Sequence, residues 1–365
     1  MDKMRRVSTL LGASALVLGT VVIAATSATV SAGAATGFKA CMVTDTGGIN
    51  DGSFNESAWD GMKDAEAANS GISIHYLPST SDANYTPNIN TFLKEGCGII
   101  VTVGYDMDAA TAKAANAHPS QKFAIVDDSP TTTSKDLLAL RYETDQDAFL
   151  GGMLAAGMST TKVVATYGGQ NIPTVSLYMN GFVAGVRYYD KEYKAKVKVL
   201  GWKPAAGSCS LTVCKGSGTF TNNFTDQTAG QTDTTAFFSE GADIVFPVAG
   251  NVGLGSVAAA KSAGTGHSVM WVDSNGCVQE KSDCSWFVGT VSKGIETSVK
   301  DAVVAAAGGS FKGGTYLGTL KNGGVALEYG GITVPSSLKS KITAAQKKII
   351  AGTLSTNPNK YPAVS

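Results

Sequence analysis

One polar segment of this chain has the side chains needed to bind a small molecule. It runs from Asp45 to Trp59 and follows a short apolar run, Phe38 to Val43, that is typical of a strand. Apolar residues recur at helical spacing from Phe54 onward, so the segment is predicted to turn from a strand into a helix. In open α/β sheets, ligands bind beyond the carboxyl ends of strands, where such turns lie. The turn carries a cluster of polar side chains that includes Asp45, Asn50, Asp51, Ser53 and Asn55.

The same segment has a simpler interpretation, in which its polar residues only cap the helix. Ser53 or Asn55 would serve, because a side-chain oxygen at a helix start accepts hydrogen bonds from free backbone N–H groups. Capping needs one such residue, whereas the turn contains at least five polar side chains. Gly47, Gly48 and Gly52 also permit backbone conformations that other residues avoid. We therefore favour a ligand-binding loop and keep the capping turn as the alternative.

Residues 1–35 are predicted to be a signal peptide rather than part of the fold. A basic start at residues 3–6 precedes an apolar run at residues 10–25, and small residues up to Ala34 fit a signal-peptidase site. The apolar run is short for a membrane-spanning anchor. A lipid anchor would need Cys41, and the preceding Lys39 makes that site a poor one. We expect export, cleavage near Ala34, and an extracellular or cell-envelope location.

Six cysteines remain after this cleavage, which suits an oxidising compartment. Cys209–Cys214 and Cys277–Cys284 each close a short polar loop. Cys41 and Cys97 are left, each near the start of a predicted strand, and neighbouring parallel strands would bring them together. A metal site is disfavoured, because the chain has no C-x-x-C pair and its three histidines are scattered.

Composition and hydropathy patterning predict a two-lobed α/β protein. Lys and Arg balance Asp and Glu at 29 each, so nothing indicates a nucleic-acid partner. Strand-like and helix-like runs alternate, as in parallel α/β units, and the tail is left to complete both sheets. We expect an N-terminal lobe of residues 36–144 plus about 274–311, and a C-terminal lobe of residues 145–273 plus about 312–365. Residues 316–329 are predicted to form a strand pair, and a ligand cleft is expected between the lobes.

Several motifs resemble one family. Asp45-x-Gly-Gly-Ile-Asn-Asp-x-Ser-Phe-Asn-x-x-Ala-Trp-x-Gly resembles the signature of the basic-membrane-protein family, the PnrA-like substrate-binding proteins of ABC transporters. The loop Ser208–Thr219 looks like an insertion, and the block ending at Lys293 departs from the family's TS-x-x-K order. Further blocks agree in order along nearly the whole mature chain: Phe123-Ala-Ile-Val-Asp127, Phe149-Leu-Gly-Gly-Met-Leu-Ala-Ala, Gly181-Phe182-Val-Ala-Gly185, Gly241-Ala-Asp-Ile-Val-Phe-Pro-Val-Ala-Gly250, Asp273-Ser and Thr290-Val-Ser-Lys293.

The resemblance implies an α/β, type I periplasmic-binding-protein fold, in which two Rossmann-like lobes joined by three crossovers close on a ligand. Characterised members mostly bind purine nucleosides and deliver them to a permease. We therefore expect a monomeric solute-binding protein with a purine nucleoside or similar small ligand, an ABC permease partner, no cofactor and no enzymatic activity. The crossovers are expected near Glu143–Gln146, Val272–Ser274 and Gly308–Gly314.

A nucleoside presents two aromatic faces, a base edge and a ribose diol. Stacking contributes roughly 1–3 kcal/mol per base in single-strand binders, and the predicted rings are Phe54 and Phe224, the latter in an F-x-D segment like the family's. Asp127 is expected to accept from the base edge. Asp273, paired with Lys293, is expected to hold the diol. The whole predicted ligand-binding set is Asn50, Asp51, Phe54, Asn55, Asp127, Phe224, Gly250, Asp273 and Lys293.

Two other functions stay open from the sequence. In the first, the same fold binds a sugar, a flavin or a signalling molecule instead of a nucleoside. A secreted nucleoside hydrolase would need a metal-binding cluster such as Asp45, Asp51 and Asp127, and no histidine neighbours these residues in the sequence. Tyr178 and Phe182 are rival aromatic candidates, but their helical spacing is typical of core residues.

Overall fold

Two six-stranded sheets organise the chain in a computed structural model, which describes residues 37–207 and 209–361. The predicted signal peptide, residues 1–35, lies outside the described residues. The strands are, in chain order, β1 (Phe38–Thr44), β2 (Ile72–Leu77), β3 (Ile99–Val103), β4 (Lys122–Val126), β5 (Leu137–Tyr142), β6 (Val163–Gly168), β7 (Lys198–Leu200), β8 (Trp202–Pro204), β9 (Gly216–Gly218), β10 (Ile244–Val248), β11 (Ser268–Asp273), β12 (Phe287–Lys293), β13 (Gly314–Gly318) and β14 (Val325–Tyr329).

The helices pack on these sheets through apolar stripes and glycine contacts. Gly152 and Gly185 let the fourth and fifth helices approach closely, since a Cβ at Gly185 would lie 1.9 Å from the carbonyl oxygen of Phe149. The helices are, in chain order, α1 (Phe54–Ala68), α2 (Tyr85–Lys94), α3 (Asp108–Ala117), α4 (Thr144–Met158), α5 (Pro173–Tyr193), α6 (Gln227–Ser239), α7 (Gly253–Ala263), α8 (Gly276–Gln279), α9 (Ile295–Ala307) and α10 (Ser336–Ile350).

The two sheets repeat one strand order. The first runs β13-β5-β4-β3-β1-β2 with every pair parallel, and the second runs β14-β12-β11-β10-β6-β7 with only β14 antiparallel. Each interior strand is buried on both faces, which explains the continuous apolar runs in the sequence. The small β8–β9 pair lies outside both sheets. The predicted two α/β lobes are therefore present, and the tail does complete both sheets.

The structure corrects the predicted lobe boundaries in the last quarter of the chain. β12, assigned to the first lobe, pairs with β11 of the second sheet, and β13, assigned to the second lobe, pairs with β5 of the first. The predicted strand pair was also wrong, because β13 and β14 join different sheets. We therefore define the first lobe as residues 37–143 and 294–324 and the second as residues 144–293 and 325–361. Local hydropathy predicts a strand but carries no information on which sheet it joins.

The crossovers shift with these strands. The first lies between β5 and α4, where it was predicted. The second lies between β12 and α9 rather than near residues 272–274, because α9 packs on α1 of the first lobe. A Cβ at Gly61 of α1 would lie 2.4 Å from the carbonyl oxygen of Glu296, which shows how closely these helices approach. The third joins β13 to β14 rather than falling near residues 308–314.

The three predicted disulfides are present, joining Cys41 to Cys97, Cys209 to Cys214 and Cys277 to Cys284. Cys41 lies on β1 and Cys97 just before β3, and these strands are neighbours in the first sheet. Within the described part of the chain, no helix has both the length and the apolar composition needed to cross a membrane.

Candidate functional site

A cavity lies where the carboxyl ends of the two sheets face each other. Its empty volume, which includes space open to solvent, is about 560 Å³. From the first lobe it is lined by Asp45, Asp51, Phe54, Asn55, Gly104, Tyr105, Asp106 and Asp127. From the second lobe it is lined by Ile172, Thr174, Val175, Tyr178, Phe224, Val248, Ala249, Gly250, Asp273 and Lys293.

The structure brings together all but one of the predicted site residues. Asn50 is the exception, since it is exposed and does not line the cavity. It stands in the loop between β1 and α1, two residues after Gly48, whose φ is 71°. Phe54 and Phe224 line the same cavity from different lobes, as the nucleoside hypothesis requires.

The polar loop before α1 is held by Asp51. Its Oδ1 accepts hydrogen bonds from the backbone N–H groups of Ser53 and Glu56, both at 3.0 Å, and its Oδ2 accepts from Asn55 N at 2.9 Å. Asp51 therefore caps the helix, whereas Ser53 and Asn55, the expected caps, make no such bond. Asp51 also lines the cavity, so the residue that caps the helix is itself part of the cavity wall.

Asn55 ties the loop to the end of β1. Its Nδ2 donates to Asp45 Oδ1 at 2.7 Å and to Asp51 Oδ2 at 3.3 Å. These two acceptors fix the orientation of the amide, because only its nitrogen can donate to a carboxylate. The other amide atom, Oδ1, is buried and has no partner among the described residues. A buried acceptor is normally satisfied, so this atom is suited to a ligand N–H or O–H group.

Burial raises the pKa of several carboxyl groups on the first-lobe side of the cavity. It raises the pKa of Asp45 to about 7 and that of Asp51 to about 6, against the hydrogen bonds that both receive. Burial also raises the pKa of Asp106, which a hydrogen bond from Gln170 opposes. Among residues 37–207 and 209–361, no group of His, Cys, Asp and Glu is arranged to hold a metal ion.

Lys293, the last residue of β12, is enclosed between both lobes. Its Nζ pairs with Asp127 Oδ2 of the first lobe and, at 3.3 Å, with Asp273 Oδ1 of the second. The side chain is only 4% exposed, and its Nζ lies 4.9 Å from the ring centroid of Phe54 and 5.1 Å from that of Tyr178. Burial lowers the pKa of Lys293, but the two carboxylates outweigh that effect and raise it overall. Such contacts with aromatic faces also favour the cation.

The two strand-end aspartates share an uncommon backbone conformation. Asp127 has a φ of 70° and Asp273 a φ of 66°, in the left-handed region that aspartate tolerates better than most residues. Burial raises the pKa of Asp127, and Lys293 opposes this. The expected pairing of Asp273 with Lys293 is present, while the closer pairing of Lys293 with Asp127 was not foreseen.

Several bonds join the ligand loop to the second lobe. Trp271 Nε1 and Ser274 Oγ both donate to the carbonyl oxygen of Gly52, at 3.2 and 2.7 Å. Ser53 Oγ lies 3.2 Å from Asp273 Oδ2. Within residues 37–361 the lobes are thus held together around the cavity by bonds that involve no ligand.

Sequence reasoning missed several lining residues. Tyr178 was assigned to the core, yet it lines the cavity and its hydroxyl donates to Asp273 Oδ1 at 3.2 Å. Phe182, the other helical candidate, is a core residue, with its ring 5.2 Å from that of Phe246. Tyr105 and Asp106 directly follow Gly104 at the end of β3. Their position beyond a strand's carboxyl end is the same signal that identified Asp127, and it would have found them.

Two parallel α/β lobes that close on a cavity at their strand ends define a bilobed ligand-binding protein. The solved structure of an ABC transporter solute-binding protein from Aeropyrum pernix K1 has the same fold, with a TM-score of 0.75 and 21% identity over 86% of this chain and 92% of its own. A second, from Conexibacter woesei, gives a TM-score of 0.63 at 18% identity, over 89% of this chain and all of its own. The type I periplasmic-binding-protein fold expected from the sequence is confirmed.

The family model of PnrA-like ABC transporter substrate-binding proteins matches residues 38–205 and 217–360, so the chain belongs to that family. The unmatched residues overlap the predicted insertion Ser208–Thr219. The chain is also 29% identical, over 341 residues, to the "ABC transporter nucleoside-binding protein BmpA" of Lactococcus lactis subsp. cremoris, covering 89% of this chain and 90% of that protein. It is therefore an ABC transporter substrate-binding protein, of a family whose members act as binding proteins for a permease.

Proposed function

We propose that this protein captures a purine nucleoside between its lobes, outside the cytoplasmic membrane, and delivers it to an ABC permease. The observation that carries the proposal is the meeting of Phe54 and Phe224 in one cavity from different lobes. Two rings so placed suit the two faces of a base. The family relative in Lactococcus lactis is named for nucleoside binding, which supports the same ligand class here.

The polar groups around the rings suit the rest of a nucleoside. Asn55 Oδ1 and Asp45 offer acceptors for N–H groups of the base edge or for hydroxyls. Asp127 and Asp273, which both pair with Lys293, offer carboxylate oxygens to which a ribose diol donates. Gly250, with a φ of 54°, brings backbone rather than a side chain to the cavity.

The charge of the cavity argues for an uncharged ligand. Four first-lobe carboxylates line it, and the single lysine is already paired with two acids. A 5′-phosphate would bring further negative charge against this wall, which is costly in a desolvated site. We therefore expect nucleosides to bind and the corresponding nucleotides to be rejected.

The test is titration calorimetry of the mature protein, unfolded and refolded to remove any carried ligand, with adenosine, guanosine, inosine and adenosine 5′-monophosphate. At least one nucleoside should bind with a Kd in the micromolar range or below, and the nucleotide at least about tenfold more weakly. If no nucleoside binds more tightly than about 1 mM, the ligand is of another class, such as a sugar, flavin or signalling molecule. Release of free base from inosine would instead indicate a hydrolase.

Two variants test whether the nucleoside measured by calorimetry binds in this cavity. Phe54→Ala should weaken binding by roughly 1–3 kcal/mol, the contribution of one stacked ring. Phe182→Leu alters a buried aromatic ring that does not line the cavity, and it should leave the affinity unchanged. Equal losses in both variants would show that binding depends on general stability rather than on stacking.

A further inference from the structure

Many lysines of the second lobe lie outside the ligand cavity, in two segments of the chain. Residues 193–225 and 329–365 contain ten lysines and neither aspartate nor glutamate. The chain as a whole carries 29 basic and 29 acidic residues, so this distribution is local. Lys and Arg number 16 against 12 acids in the second lobe, and 10 against 16 in the first.

The two acid-free segments meet at the end of α5. Lys341 Nζ of α10 lies 3.9 Å from the ring centroid of Tyr193 and 5.4 Å from that of Tyr189. Burial raises the pKa of Tyr193, and the nearby charge of Lys348 opposes the rise. One exposed acid, Glu192, borders this surface. We call it the lysine face and define it by its exposed members: Tyr193, Lys194, Lys196, Lys198, Lys347, Lys348 and Ile350.

The lysine face lies away from the ligand cavity. Lys198 is the first residue of β7, whereas the cavity lies beyond the last residues of the strands. The neighbouring strand β6 has six residues, which span roughly 20 Å at about 3.3 Å per residue. An occupant of the lysine face therefore leaves the cavity and its opening free.

We propose that the lysine face binds an anionic lipid surface. Lysines on flexible stems are attracted to anionic headgroups, and several act together within a Debye length of the membrane. Among them stand two large apolar side chains, Tyr193 at 37% and Ile350 at 40% exposure. The interface of a bilayer accepts such apolar tips between its headgroups, whereas a soluble polyanion uses the charges alone. The combination favours a membrane over a free polymer.

The test is co-sedimentation of the mature protein with vesicles of mixed phosphatidylglycerol and phosphatidylcholine, or of phosphatidylcholine alone. Binding should require phosphatidylglycerol and should fall as the salt concentration rises. The variant Lys194→Gln/Lys196→Gln/Lys198→Gln/Lys348→Gln should bind at least about tenfold more weakly, since each lysine contributes separately. Its melting temperature should match that of the parent, because these side chains are exposed.

A matched control removes the same number of charges from exposed lysines of the first lobe, as Lys63→Gln/Lys94→Gln/Lys113→Gln/Lys135→Gln. It should bind the anionic vesicles as the parent does. Equal loss in the two variants would overturn the proposal, because attraction would then follow total charge rather than one face. Equal binding to both kinds of vesicle would overturn it as well.

Tyr193→Ser separates a membrane from a soluble polyanion. It keeps every lysine and removes an apolar side chain, so binding to anionic vesicles should fall about two- to fivefold while binding to inorganic polyphosphate stays unchanged. If polyphosphate binds and the anionic vesicles do not, the lysine face recognises a free polyanion and the lipid proposal is wrong.

Discussion

β4 and β11 occupy the same position in the two sheets, yet the cavity walls around their ends differ in charge. Each strand leads into an aspartate in the left-handed conformation, Asp127 or Asp273, and both aspartates bind Lys293. Around Asp127 the first lobe adds carboxylates, including those of Asp45 and Asp51. Around Asp273 the second lobe presents mainly apolar side chains: Ile172, Val175, Phe224 and Val248.

This contrast shows that the strand order shared by the two sheets positions the side chains, while the loops set the polarity of each cavity wall. The strand order places both aspartates at one cavity, but loops of different sequence make one wall a hydrogen-bonding surface and the other a hydrophobic one. The strand ends next to them also differ. Tyr142 ends β5, where Lys293 ends β12, and its hydroxyl bonds to Ser298 Oγ at 2.6 Å. Lys293 therefore pairs with the strand-end aspartates of both lobes.

Removing that cation should have the largest effect. Lys293→Met leaves Asp127 and Asp273 buried together without a counter-charge, and breaking a buried ion pair in this way costs about 3–5 kcal/mol. Denaturant unfolding should show this loss, and nucleoside affinity should fall at least about 100-fold. Lys300→Met, on the outer part of α9, is the control and should change neither quantity. An unchanged unfolding free energy in Lys293→Met would mean that the two aspartates are held apart by other contacts.

The difference between the walls is tested by one polar change on each. Asn55→Ala removes the unpartnered acceptor and the shared donor to Asp45 and Asp51, so calorimetry should show an affinity about 5- to 100-fold lower. Thr174→Val removes a hydroxyl from the apolar wall and should weaken binding less than about threefold. Equal effects would show that the two walls contribute hydrogen bonds alike, against the contrast described above.

The contribution of the apolar second-lobe wall is tested by displacing the ring of Phe224. A Cβ at Gly169 would lie 2.3 Å from Phe224 Cε1, so Gly169→Ala should displace that ring and reduce affinity by up to about tenfold. In a Phe224→Ala background, the same change should have almost no further effect on binding. If Gly169→Ala reduced the affinity as much in that background, its effect would come from a change in the backbone rather than from the ring of Phe224.

The buried carboxyl groups of Asp45 and Asp51 should have a smaller effect, which is on the pH dependence of the unfolding free energy. Because burial raises the pKa of Asp45 from 3.8 to about 7 and that of Asp51 to about 6, the folded protein holds protons that the unfolded chain has lost. The unfolding free energy of the ligand-free protein should therefore fall as pH rises from about 4 to about 7, by roughly 1–4 kcal/mol.

Asp45→Asn should flatten much of this slope, since the amide oxygen still accepts from Asn55 but does not ionise. Asp301→Asn, an exposed acid on α9, should leave the slope as it is. Stability that rises with pH over this window would contradict the assignment, because the wall would then favour the ionised carboxylates.

Much of the site was predictable because its residues follow strands. Asp127 and Asp273 stand at the ends of apolar runs, and Phe54 begins the helix that follows such a run. Position relative to a strand end is a local property of the chain. Asn50 was included in the predicted set but does not line the cavity, because the position of a loop side chain depends on the turns around it, such as the one at Gly48, rather than on residue type. Tyr178 was left out because helical spacing alone does not distinguish a core ring from one at the edge of a cavity.

By itself, the sequence determined the alternation of strands and helices, the polar loop from Asp45 to Trp59, the three disulfides and the family. The elements, the loop and the disulfides follow from hydropathy periodicity, residue chemistry and spacing, and the family follows from the resemblance of several motifs along the chain. Only the tertiary structure decided that β12 and β13 exchange the lobes predicted for them, and that Lys293 unites Asp127 with Asp273. Both are contacts between residues far apart in sequence, fixed by the competition of strands for partners and of buried charges for one another.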